Sequence, residues 1–173
     1  VMTGDYNFDG KAQWFQQRIY GGMKGTLRLD ALWGDMLRHI PAISSDAGMS
    51  VWDAGGGLGQ MSCKLAEKGH RVLLNDLSGK MLTLAGQVID RAGLKTIDIR
   101  QSSIQSQSAE GQNFDLIVCH AVLEWCAQPQ ATLDRLLSCL KPGAYVSLAV
   151  YNVNAVIMMN VLKGNFNNAL SGD

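Results

Sequence analysis

Between Met49 and Val150 the apolar positions keep two alternating rhythms. Short apolar-rich runs at Met49 to Asp53, Arg71 to Asn75, Thr96 to Arg100, Phe114 to Cys119 and Tyr145 to Val150 predict five strands. Between them the apolar residues fall at helical spacing. Leu58, Met61, Leu65 and Ala66 stripe one helix closed by Gly69. Leu82, Ala85 and Ile89 stripe a second, with Ser78 as its N-cap and Gly93 as its stop. Leu133, Leu136, Leu137 and Leu140 stripe a third, expected to end before Pro142-Gly143. Strand and helix in alternation predict an α/β fold, a mostly parallel sheet with helices on both faces.

Residues 1–10 are small and polar apart from Tyr6 and Phe8 and read as an irregular beginning; a helical pattern then leads up to the first strand. Ala12, Phe15 and Ile19 begin it, a loop with Gly21, Gly22 and Gly25 follows, and Leu29, Trp33, Met36, Leu37 and Ile40 mark one face of a longer helix. Pro41 and the polar stretch Ser44 to Gly48 end that helix. We therefore divide a single domain into a helical cap over 1–48, a core over 49–151 and the start of a C-terminal region over 152–173. After Asn152 an apolar run, Val156 to Met159, drifts into Asn, Gly and Ser, and nothing there predicts a further pair of strands.

The chemistry concentrates where the first strand meets its helix, at Val51-Trp52-Asp53-Ala54-Gly55-Gly56-Gly57-Leu58-Gly59-Gln60. Glycines let this turn take positive φ and let a ligand approach the backbone, while the N–H groups opening the helix face outward. A dinucleotide fingerprint needs G-x-G-x-x-G, and both frames fail, at Gln60 and at Ser62. What fits is an acid followed by glycines at alternate positions, Asp53, Gly55, Gly57 and Gly59. That pattern resembles motif I of the class I S-adenosylmethionine-dependent methyltransferases. Asp76 closes the second strand, where a carboxylate can accept the ribose hydroxyls of an adenosine moiety or help cap the helix entered at Ser78. His120 closes the fourth strand, at the carboxyl edge where open α/β sheets bind ligands.

Composition narrows the class only a little. A chain of 173 residues with 47% hydrophobic content is one globular domain rather than a disordered segment. Fifteen basic and fifteen acidic residues cancel, so no basic excess points to nucleic acid. Cys63, Cys119, Cys126 and Cys139 show no C-x-x-C spacing, which argues against zinc and for reduced thiols in the cytoplasm. No apolar run is long enough to span a membrane.

A more specific resemblance rests on five strings: Arg18-Ile19-Tyr20-Gly21, Lys24-Gly25-x-Leu27-Arg28, the Val51 to Gln60 stretch, His120-Ala121-Val122-Leu123-Glu124-Trp125, and Tyr151-Asn152. Together, over Tyr6 to Phe166, the chain resembles the bacterial tRNA 5-carboxymethoxyuridine methyltransferase family. The resemblance implies a Rossmann-like class I methyltransferase fold, a three-layer sandwich, from which the usual C-terminal antiparallel hairpin is missing here, so that the chain reads as a fragment. It implies S-adenosylmethionine as methyl donor, S-adenosylhomocysteine as product, and tRNA as partner, with the wobble 5-carboxymethoxyuridine becoming its methyl ester. It implies a cofactor site of Arg28, Asp53, Gly55, Gly56, Gly57, Asp76, Leu77, Ser103, Ile104 and His120. Arg28 would grip the methionine carboxylate and Asp53 would act at the ammonium end. Ser103 and Ile104 would offer backbone groups to adenine, where the family usually has an acid, or else form an ordinary polar loop. Tyr20, Lys24 and Tyr151 are candidates for the substrate side; for Lys24 a solvated lysine and for Tyr151 core packing are the competing readings. Trp125 is a stacking platform or a loop-packing residue.

The implied acceptor is a carboxylate, already ionised near neutral pH, so no catalytic base is expected and His120 is read as a cofactor contact. Rate would come from proximity and alignment. A tRNA enzyme needs cations, and Lys11, Arg18, Lys24 and Arg28 supply some. Two other readings remain: a methyltransferase of small carboxylic acids, and an S-adenosylmethionine-binding protein without turnover. The sequence leaves the oligomeric state open.

Overall fold

A computed structural model describes residues 4–12, 22–107 and 113–171. Five strands form one parallel sheet: β1 Ser50–Ala54, β2 Arg71–Asp76, β3 Ile97–Gln101, β4 Phe114–His120 and β5 Leu140–Ala149. Their order is β3-β2-β1-β4-β5. The chain runs outward in one direction from β1 and then returns to begin in the other at β4. The crevice above β1 and β4 is therefore the switch point, where ligands of open sheets bind.

Side chains alternate across the strands and build a core on each face. Val51, Leu116 and Val118 point to one face, against Met36 of α1 (Met23–His39), Ile40 just after it and Leu65 of α2 (Gln60–Glu67). Trp52, Ile117 and Cys119 point to the other, against Leu136 of α4 (Pro129–Leu137). Leu74 packs on Leu82, Ala85 and Ile89 of α3 (Gly79–Ala92). The strand and helix periods thus yield the expected layers. The two caps read for α3 are present: Ser78 Oγ accepts from Met81 N–H, and Gly93 sits at φ +67°.

Three boundaries differ from the sequence reading. Gly25 lies within α1 rather than in a loop, and the helix begins already at Met23. The helix expected to run to Pro142-Gly143 stops at Leu137, and Leu140 already pairs with Phe114. Pro142 and Gly143 belong to β5, at an irregularity where the register jumps from Phe114–Leu140 to Leu116–Tyr145. A proline is tolerated there because, among the described residues, β5 is an edge strand bonded only to β4. The tail forms two helices, α5 Val153–Leu162 and α6 Phe166–Ser171, for which the sequence reading offered no element. The first predicted helix, with Phe15 and Ile19, and Tyr20 with it, lie outside the described residues. No helix among the described residues is long and apolar enough to cross a membrane.

One buried polar chain ties the middle of the sheet together. Trp52 Nε1–H donates to Asn75 Oδ1 at 2.7 Å, and Asn75 Nδ2 donates to the Ser102 carbonyl at 3.0 Å. Trp52 and Asn75 are both fully buried. The substitution Asn75→Ala leaves the indole N–H without an acceptor, and should lower stability by about 1–3 kcal/mol in urea denaturation.

Candidate functional site

The turn after β1 is held by the end of β2. Gly55 and Gly56 donate their N–H groups to the Asn75 carbonyl at 2.9 and 3.2 Å, and Gly57 N–H donates to Asp76 Oδ2 at 2.9 Å. The turn then passes through Gly59, at φ +71°, into α2. At Gly56 there is no room for a side chain: a Cβ would stand 2.5 Å from Leu74 Cδ1 and 2.6 Å from the Asp53 carboxylate. Gly55 combines φ +69° with a Val122 methyl at 2.7 Å from any Cβ.

Two cavities meet over this turn. The first is lined by Gly55, Gly57, Asp76 and Leu77, with Ile104 and Val122. The second lies between α1 and the end of β5, over Asp53, Gly56, Gln60, Leu29 and Val150. Arg28, His120, Ala121 and Tyr151 line both. The residues singled out from sequence therefore converge, with two departures. Ser103 Oγ bonds Ser106, at 2.7 Å to its Oγ and 3.0 Å to its N–H, and it is Ser102 that lines the first cavity. Lys24 is exposed on α1 and lines neither cavity.

The charged groups are in contrasting surroundings. Asp53 is 3% exposed and accepts from Ser62 Oγ at 2.6 Å; burial pushes its carboxyl up to about 6 despite that bond. Burial also raises Asp76, partly offset by the N–H groups of Ser78 and Gly57. Burial alone lowers His120 to about 4, with its Nε2 at 2.8 Å from Ser147 Oγ. Arg28 is exposed and makes no ion pair or hydrogen bond among the described residues. The site thus offers a desolvated acid to each cavity and, where they join, a guanidinium that is free among the described residues. No cluster of metal-ligating groups occurs among the described residues.

The first cavity has a wall that the sequence reading missed. Residues 5–9 cross from one flanking loop to the other. Asp5 Oδ1 accepts from Ala127 N–H at 2.8 Å and Tyr6 N–H donates to the Trp125 carbonyl at 2.9 Å. At the other end Asn7 Nδ2 donates to the Leu77 carbonyl, and Asp9 Oδ1 accepts from Ser78 Oγ and Lys80 N–H. Tyr6, Phe8 and Trp125 stack edgewise, with ring centroids 4.6–5.6 Å apart. Trp125 is thus packed in the loop, and it also faces the cavity. The alternating aromatics at Tyr6 and Phe8 were the available signal, hidden in a segment that reads as irregular.

A profile described as "Methyltransferase domain" matches residues 52–148, more than half of the chain. The chain belongs to this methyltransferase family. It is 39% identical over 170 residues to the tRNA 5-carboxymethoxyuridine methyltransferase of Escherichia coli (strain K12), covering 97% of this chain and 65% of that protein. It is 33% identical over 119 residues to a ubiquinone biosynthesis O-methyltransferase of Nitrosospira multiformis, covering 68% of this chain and 49% of that one. The chain thus spans about half to two thirds of the length of these relatives. Magnesium protoporphyrin IX methyltransferase from Synechocystis PCC 6803, solved with bound SAM, superposes with a TM-score of 0.65 at 22% identity, over 78% of this chain and 68% of that one. PKMT2 from Rickettsia typhi, in complex with AdoHcy, gives 0.52 at 29% identity, over 56% of this chain and 19% of that one. The Rossmann-like methyltransferase fold that the family resemblance implies is therefore the fold of this chain.

Two outcomes test this geometry in the methyltransferase. Gly56→Ala forces the turn apart or displaces Asp53, and should destabilise the fold by about 1–3 kcal/mol, read from the denaturation midpoint. Asp53 binds its proton more tightly folded than unfolded, where the ordinary carboxyl value of 3.8 applies. Its contribution therefore favours the fold at low pH and is lost as pH rises through about 6. Relative to Asp53→Asn, the parent should gain stability as pH falls from 7 to 5; parallel pH profiles would contradict the assignment.

Proposed function

We propose that this chain binds S-adenosylmethionine across the two cavities and serves the methyl esterification of 5-carboxymethoxyuridine at the wobble position of tRNA, in the cytoplasm. The observation that carries the reading is the 39% identity sustained over 97% of the chain, well beyond the methyltransferase domain shared with other relatives. The residues fit the donor. The side-chain-free turn at Gly55 to Gly57 lets a nucleoside lie close, and Asp76, Leu77 and Ile104 line the cavity that suits adenosine. The Asp76 oxygens each accept one backbone N–H and keep a lone pair for ribose hydroxyls. Asp53 suits the ammonium end, and the unpaired Arg28 suits the carboxylate of the methionine tail. Ile104 and Ser102 take the place beside adenine, with Ser103 acting as the turn that presents them.

Bound there, S-adenosylmethionine supplies an electrophilic sulfonium methyl. The chain's own task is to hold the acceptor in line with it and to exclude water. A carboxylate acceptor is ionised without help, whereas a phenol acceptor would use a base with a pKa near neutral. His120, held near 4 and bonded to Ser147, is a poor base, which favours the carboxylate. His120 then serves by contact, at the floor where both cavities meet. Tyr151 faces the acceptor side; Tyr20 joins it by resemblance, and Lys24, one turn before Arg28 on α1, offers a cation to tRNA phosphates.

The test is transfer of labelled methyl from S-adenosylmethionine to tRNA carrying 5-carboxymethoxyuridine, with nucleoside mass spectrometry of the product. Ester formation that weakens with added salt is expected. Label on free small carboxylic acids without RNA would replace the substrate, and binding without label on anything would leave a binding protein. Arg28→Ala and Asp76→Ala should each weaken S-adenosylmethionine by about tenfold or more in calorimetry; unchanged affinity would remove that residue from the site.

A further inference from the structure

The strand β4 does not simply end in a loop. Ala121 follows His120 at φ +54°, a left-handed conformation that a residue with a Cβ adopts only under constraint. The constraint is visible: Ala121 N–H donates to the Ala149 carbonyl at 2.7 Å, so the chain leaving β4 is tied to the end of β5. A short 3-10 turn, Leu123–Trp125, comes next. From it Glu124 reaches back across the same gap, and its Oε1 accepts the N–H of Tyr151. Its other oxygen, Oε2, is sealed from solvent and has no hydrogen-bond partner among the described residues. An unsatisfied carboxylate oxygen is costly, and a fold that keeps one needs a reason.

The reason lies in what Tyr151 does. It lines both cavities, while Ala149 and Val150 before it line the second, on the side away from Asp76. Beyond Ala149 the strand has ended, so without Glu124 the N–H of Tyr151 has no ladder partner. We propose that Glu124 is a positioning residue for the acceptor: it fixes the Tyr151 backbone as the wall where the cavities join, and does not touch the methyl donor. This rests on the function proposed above for the acceptor, but the tie itself does not. What the role requires is an acceptor atom at full side-chain reach, not a charge. Glutamine meets that requirement. Aspartate keeps the charge and falls short by about 1.5 Å, one carbon–carbon bond.

The experiment compares E124A, E124D and E124Q. Hydrogen exchange reads the Tyr151 amide directly, calorimetry reads the Kd for S-adenosylmethionine, and methyl transfer reads KM for 5-carboxymethoxyuridine tRNA. E124A and E124D should speed Tyr151 exchange by about tenfold or more. They should raise the tRNA KM by about tenfold while the cofactor Kd moves by less than about threefold. E124Q should restore the parent values of both. Should E124A fail to fold, the E124D and E124Q pair decides. Exchange unaltered in E124A or E124D overturns the proposal, as does a cofactor Kd that rises with the tRNA KM, or an E124Q that behaves like E124A. A parent chain that labels no tRNA overturns the proposed reaction and the acceptor half of this role with it, while exchange still judges the tie.

Discussion

A single carbon atom at position 56 has nowhere to go, and much of the site follows from that exclusion. The turn after β1 lies so close to Leu74 and to the Asp53 carboxylate that only hydrogen fits between them. Because the backbone can settle there, its N–H groups reach the Asn75 carbonyl and the Asp76 carboxylate of the next strand. Because Asp76 is gripped from below, it stays aimed over the sheet edge. And because the turn covers Asp53, that acid is stripped of water and shifted toward neutrality.

The electrostatic character of the crevice is a product of the same packing. Two acids and an imidazole are desolvated in one place, each moved toward its uncharged form. The guanidinium of Arg28 keeps access to water and has no counter-charge among the described residues. On the function proposed above, a zwitterionic ligand would satisfy Asp53 and Arg28 at once, since both line the second cavity.

The sheet and the motif were legible because they depend on local rules. Alternating strand and helix periods, the Ser78 cap and the Gly93 stop are written in consecutive residues. The acid-and-glycine spacing around Asp53 likewise encodes a turn whose geometry is nearly complete in ten residues. What escaped were contacts made across sequence distance. Nothing near Pro142 says that β5 is an edge strand, so a proline that reads as a helix stop became part of a strand. Ser102 and Ser103 are interchangeable as letters, and only the Ser103–Ser106 bond decides which of them faces the cavity. Asp5, Tyr6 and Phe8 read as an irregular beginning, since their partners, Ala127 and Trp125, lie more than a hundred residues away.

That N-terminal crossing also closes one side of the first cavity. It is fastened to the loop after β2 at one end and to the loop after β4 at the other, by a few hydrogen bonds and edge contacts between rings. Bonds of this kind contribute about 1 kcal/mol each, and the packing of Phe8 on Ala12, Leu58 and Met81 adds apolar burial to them. Whatever occupies the first cavity is therefore walled on one side by a short segment anchored to two loops distant from it in the chain, and on the other by groups rooted in the sheet itself.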